Sequence, residues 1–66
     1  MEEWQIRVLD ERNELEEKVQ KLEKFLKSPV LYKNVDEEDE ELLTDQLDAM
    51  LAYLDILEKR ISRFEN

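Results

Sequence analysis

The side chains of this sequence best equipped for chemistry are its cations and its aromatic rings. Arg7 and Arg12 stand near one terminus, and Lys59, Arg60 and Arg63 near the other, with Trp4 and Phe64 among them. Guanidinium forks hold phosphate oxygens in pairs, and aromatic faces stack on bases. Those residue types suit a small anionic, ring-bearing ligand if the fold brings the termini together. They also suit an ordinary solvated surface beside a Trp that plugs the end of a core. Catalysis finds little support: there is no Cys or His, and Ser28, Thr44 and Ser62 have no evident general base. Without Gly there is no phosphate loop, and without Cys or His there is no zinc set of that kind. No cofactor, metal or catalytic residue is expected.

The element that must position these groups is the stretch from Leu42 to Phe64. Leu43, Leu47, Met50, Leu54, Leu57, Ile61 and Phe64 recur at steps of three or four, which is helical periodicity. Leu42, Ala49 and Ile56 form a second line at steps of seven beside the first. Successive helix residues turn by about 100°, so the two lines cover about half the circumference. A surface helix needs an apolar stripe of about 100° or slightly more. This helix has more apolar surface than one partner helix covers, which predicts a homo-oligomer. Leu43, Leu47, Met50, Leu54, Leu57 and Ile61 are the expected core and oligomer contacts.

The fold class is read as all-α, an antiparallel two-helix hairpin assembling into a homo-oligomeric helical bundle. The first helix is placed at 2–27, with Trp4, Val8, Leu15, Val19, Leu22, Phe25 and Leu26 on its main face. Ile6 and Leu9 fall off that face. Glu14–Lys18, Glu17–Lys21 and Glu23–Lys27 are spaced for helix-surface ion pairs. A connecting turn is placed at 28–36, where Pro29 disfavours helix at Ser28; Ser28 could equally cap a single turn starting at Pro29. Val30, Leu31 and Tyr32 would then lid the closed end of the core. Asn34 suits a left-handed turn, and Asp36 can cap the second helix at 37–64. So short a connection makes the helices antiparallel neighbours, with Leu26 near Leu43, Val19 near Met50, Val8 near Ile61 and Trp4 near Phe64. Both termini then share one end.

The 66 residues form a single domain with a small core, a size that usually needs help from association. The net charge of −9 opposes binding to DNA, RNA or anionic membranes. The charge is uneven: residues 1–33 hold 8 acids and 7 bases, and residues 34–66 hold 11 acids and 3 bases. Six of those acids run from Asp36 to Glu41, either as a helix start that complements the dipole or as an acidic docking patch. The run has no mid-loop Gly and the wrong spacing for an EF-hand. No apolar run reaches the roughly 20 residues needed to span a bilayer, and the N-terminus is unlike a signal peptide; a cytoplasmic location is expected. Glu11 and Lys18 on the first helix, and Gln46, Tyr53 and Arg60 on the second, border the apolar faces. They either fix register by inter-helix polar contacts or line a cleft between subunits.

The pattern Gln5-x-Arg7-Val8-x-x-Glu11, Leu15-x-x-Lys18-x-x-x-Leu22-x-x-Phe25, and Leu42-Leu43-x-x-Gln46-Leu47-x-Ala49-Met50-x-x-Tyr53-x-x-Leu57-x-x-Arg60-Ile61 covers nearly the whole chain. It resembles a crAss-like-phage-related family of very small helical-hairpin proteins of tailed phages and prophages. In layout alone it is similar to the hairpin of phage sponges for cyclic-nucleotide or ADP-ribose-type immune signals. This chain lacks their Cys-Pro-type turn and extended N-terminal arm. The layout implies a homo-oligomer with inter-subunit pockets for a small anionic nucleotide.

Three functions stand as expectations. In the first, a non-enzymatic counter-defence sponge in the bacterial host cytoplasm, Arg7, Arg60 and Lys18 hold phosphates while Trp4 and Tyr53 stack on a base. In the second, the run Asp36–Glu41 docks on a basic surface of a host defence protein. In the third, the chain is a structural helix-bundle protein of the phage.

Overall fold

Glu2 opens the structure in an extended conformation, and its N–H donates to Oε1 of Gln5 at 2.8 Å. That contact satisfies one of the donors a helix start leaves without a partner. The helix that follows, α1, runs over Glu3–Leu26. Pro29 holds Ser28 in an extended conformation (φ −83°, ψ 142°), and the helix cannot continue through it. The hydroxyl of Ser28 accepts from the N–H of Val30 at 3.2 Å, and Pro29 takes the first helical position. A short helix results, α2, Pro29–Asn34. Asp36 then accepts from the N–H of Asp39 at 2.8 Å and starts α3, Glu37–Ser62. The computed structural model describes residues 1–64, the side chain of Tyr32 excepted.

The architecture is therefore all-α with three helices, not two: the expected 28–36 turn holds a capped helix of its own. Asn34 does not make a left-handed turn, and no described residue has positive φ. It ends α2, its side-chain amide donating to the carbonyl of Val30 at 3.1 Å. Of the expected lid, Leu31 is buried at 1% exposure while Val30 is half exposed; the Tyr32 side chain lies outside the described residues.

The chain folds back so that α3 lies along α1. Trp4, at the start of α1, meets Phe64, just past the end of α3. About two turns further in along α1, Arg12 pairs with Glu58 across the two helices at 2.9 Å. Between them Val8, Leu15, Val19 and Leu57 are buried, with Leu47, Met50, Leu54, Ile61 and Phe64 packed against them. Leu57 alone on α3 is fully enclosed; Leu43, Leu47, Met50, Leu54 and Ile61 are only partly covered. Of the two lines on α3, one faces α1. The other stays in the open, with Leu42 61% and Ile56 54% exposed.

The shape follows from that thin core. The chain measures 47 × 15 × 14 Å with a radius of gyration of 15.1 Å, against about 11 Å for a globular chain of this length. Its accessible surface is 5410 Å², where a monomer of 8.1 kDa ordinarily shows about 4,500 Å². The excess is the cost of a rod one helix pair wide.

Candidate functional site

At the end of the rod where α1 begins and α3 finishes, an open recess of about 420 Å³ is lined by Trp4, Gln5, Arg60, Arg63 and Phe64. Its aromatic wall is the Trp4–Phe64 pair, edge to face with centroids 5.3 Å apart and planes at 84°. That arrangement sets the positive edge of one ring against the face of the other. Trp4 keeps 53% of its surface exposed, so the pair seals the core on one side and presents ring surface on the other. Two factors bring these residues together. The Trp4–Phe64 contact sets the first turn of α1 beside the end of α3, and Arg60 in the last turn of α3 and Arg63 at its C-cap are three apart, on one side of the helix end.

The five cations expected at this end separate into two groups. Arg7 reaches back to Glu3 at 2.8 Å on the exposed surface of α1 and does not line the recess. Arg12 is held by Glu58, and its Nε also donates to Asn13 at 2.9 Å. Lys59 pairs with Asp55 at 2.9 Å. The hydrogen bond Lys59 donates to Asp55, and then the negative charge of Asp55, hold the Lys59 ammonium above its ordinary pKa of 10.5. Arg60 and Arg63 close no ion pair among the described residues. They are the cations that face the aromatic wall.

Of the candidate ligand residues, Trp4 and Arg60 are brought together and the other three are not. Lys18 is exposed in mid-α1, about 21 Å along the axis from Trp4 at 1.5 Å per residue. Tyr53, 42% exposed, lies two turns before Arg60, about 10 Å away along α3. Arg7 is turned toward Glu3. Arg63 and Phe64, which belong to the expected basic and aromatic cluster but not to those five, line the recess too, as does Gln5, which belongs to neither. The pairing of Trp4 with Phe64 already implied that residue 5 lies against residues 63 and 64.

Further recesses lie toward the other end. Glu37, Glu40, Glu41, Thr44 and Asp45 line an acidic one of about 410 Å³ on the first turns of α3. Phe25, Val35, Asp39, Leu42, Leu43 and Gln46 line a mainly apolar one, also of about 410 Å³. Among the described residues no group of three or more His, Cys, Asp or Glu is placed to hold a metal, and no helix is long and apolar enough to cross a membrane.

A small all-helical rod with an arginine-and-aromatic recess at its tip is the class of protein these features define. Residues 2–63 match the family model named Sequestin, and the chain belongs to that family. It is 39% identical over 62 residues to the 7.5 kDa protein in the denB-rIIB intergenic region of Enterobacteria phage T4, covering 94% of this chain and 95% of that one. The family is thus one of small phage proteins. No solved structure matches the chain.

Proposed function

We propose that this protein is a phage counter-defence sponge. It acts by sequestration and without catalysis, holding a small anionic nucleotide signal of the cyclic-nucleotide or ADP-ribose type in the host cytoplasm. The observation that carries the reading is the tip recess, where Arg60 and Arg63 stand beside an exposed aromatic pair on a chain of net charge −9. The family's name, which speaks of sequestering, agrees with it. Arg60 and Arg63 supply forks for phosphate oxygens, Trp4 and Phe64 supply ring surface for a base, and Gln5 supplies an amide at the rim. A charge-assisted hydrogen bond contributes about 1.5–3 kcal/mol and a base stack about 1–3 kcal/mol. Two of the first and one of the second sum to about 4–9 kcal/mol, against about 8 kcal/mol for micromolar binding, and association takes part of that sum.

The protein works as a homo-oligomer. A recess open on one chain holds a nucleotide weakly, and a second chain closes it. Calorimetry of the full chain against cyclic dinucleotides, cyclic oligoadenylates and ADP-ribose isomers tests the reading. Binding of one class below about 100 µM, lost in Arg60→Ala and Arg63→Ala, supports it. No binding across the panel, or binding indifferent to both substitutions, overturns it. In that case the acidic recess of Glu37, Glu40, Glu41 and Asp45 becomes the favoured contact, with a basic surface on a host defence protein as its partner.

A further inference from the structure

We infer that the open line on α3 is one half of a two-fold interface, covered by α3 of a second copy of this chain running antiparallel to it with Ala49 at the axis. The inference rests on the oligomeric reading above and specifies its face and direction.

Leu42, Ala49 and Ile56 each precede Leu43, Met50 and Leu57 by one residue, so their line lies about 100° round the helix from the one that faces α1. Leu42 and Ile56 are 61% and 54% exposed, Ala49 between them is exposed, and Tyr53 beside them is 42% exposed. A two-fold interface must be complementary to itself, because the same patch serves both sides. This line meets that condition. Ala49 lies midway between Leu42 and Ile56, seven residues from each, and its methyl group lets two helices approach closely. About an axis there, Leu42 of each copy meets Ile56 of the other. The apolar recess of Phe25, Val35, Leu42 and Leu43 opens at the same end as Leu42, where it can take the second copy's Ile56.

Charge fixes the direction. The first turn of α3 carries Glu37, Glu38, Asp39 and Glu40, and its last turn carries Lys59 and Arg60. Antiparallel pairing about Ala49 sets Glu38 opposite Arg60 and Asp39 opposite Lys59 of the other copy. Parallel pairing would set the six-acid run 36–41 against its own copy, where like charges repel. Arg60 then stands at the seam between the tip recess of one copy and the acidic helix start of the other.

The chain contains no cysteine, so single replacements report on the geometry. Leu42→Cys, Ile56→Cys and Ala49→Cys fall on the line, and Leu51→Cys falls elsewhere on α3 at a position 42% exposed. All four lie outside the buried cluster, and circular dichroism checks that each stays helical. Each is oxidised mildly without ligand, alone and as an equilibrated mixture of the first two, and resolved by non-reducing electrophoresis beside light scattering of the unmodified protein.

The expected result is an unmodified protein larger than a monomer, with Ala49→Cys linking to itself. The mixture should give the Leu42→Cys with Ile56→Cys product at about tenfold the yield of either self-linked product. The reason is that identical positions then lie about 21 Å apart, while a disulfide needs Cα atoms within about 7 Å. A monomer by light scattering overturns both this inference and the oligomeric reading. An oligomer in which Leu42→Cys links to itself, or in which Leu51→Cys links best, overturns this interface alone. Nucleotide binding is read separately, by calorimetry.

Discussion

Lys59 shows how a single contact behaves on this surface. Asp55 accepts a hydrogen bond from its ammonium at 2.9 Å, four residues earlier on the same helix, and raises its pKa. A base whose pKa is raised on folding stabilises the fold fully below its unfolded pKa of 10.5, and that contribution is lost as pH rises through the folded value. Both partners are well exposed, so the effect on stability is small. NMR titration of the Lys59 side chain should show its midpoint above that of free lysine, and Asp55→Asn should bring it back down.

The cap at Asp36 is a stronger local contact, since its carboxylate takes the N–H of Asp39 at 2.8 Å. Asp36→Ala should cost about 1 kcal/mol in urea unfolding. Glu37→Gln, next along the run, should cost well under 1 kcal/mol because it removes only a dipole interaction. If Glu37→Gln and Glu38→Gln abolish function while folding is unchanged, the acidic run is a docking surface.

At the scale of the elements, stability lies in the seam between α1 and α3. Leu57 is the only residue of α3 that is fully enclosed, in one buried cluster with Val8, Leu15 and Val19. Leu57→Ala should cost about 2–5 kcal/mol, a large share of what so small a chain has. Thermal denaturation should show it as a large fall in Tm. The cross-helix pair Arg12–Glu58 has 27% and 49% of its side chains exposed and contributes about 1 kcal/mol at most. It sets register more than strength. The three Glu-to-Lys pairs spaced along α1 are not closed among the described residues; the i,i+4 pairs that close are Glu3–Arg7 and Asp55–Lys59. Exposed ion pairs of this kind gain too little to hold two long side chains in one geometry.

At the scale of the whole molecule, the rod's thinness governs its behaviour. Stability supplied by a second copy depends on protein concentration. The Tm of the unmodified chain should therefore rise as concentration is raised from about 1 to 100 times the dissociation constant, whereas Ile56→Asp should melt at a temperature that does not change with concentration. Met50→Asp should unfold the chain at any concentration, because Met50 packs against the buried cluster and an unpaired charge there costs several kcal/mol. Calorimetric or optical melts over a dilution series separate the two cases. A concentration-independent Tm for the unmodified protein would remove the oligomer.

What the sequence determined by itself was a set of local choices: that two long segments are helical, that Ser28 and Asp36 can cap, and which line of α3 faces inward. Ser28 before Pro29, and Asp36 before an acidic turn, act through backbone geometry and near-neighbour hydrogen bonds, so their effect is legible within a few residues. Apolar periodicity likewise names Val8, Leu15, Val19 and Leu57 as inward positions wherever the helices end up. The tertiary structure decided which charges meet which partners. Arg7, Arg12, Lys59, Arg60 and Arg63 look alike in the sequence and all fall toward one end, yet Glu3, Glu58 and Asp55 take the first three. Only Arg60 and Arg63 face the aromatic pair. Composition cannot make that division, because it depends on the rotation and stagger of α1 against α3 by fractions of a helical turn. Lys18 and Tyr53 border the apolar faces as their spacing requires, but a rise of 1.5 Å per residue leaves them far down the rod from Trp4, where one chain alone cannot bring them to the recess.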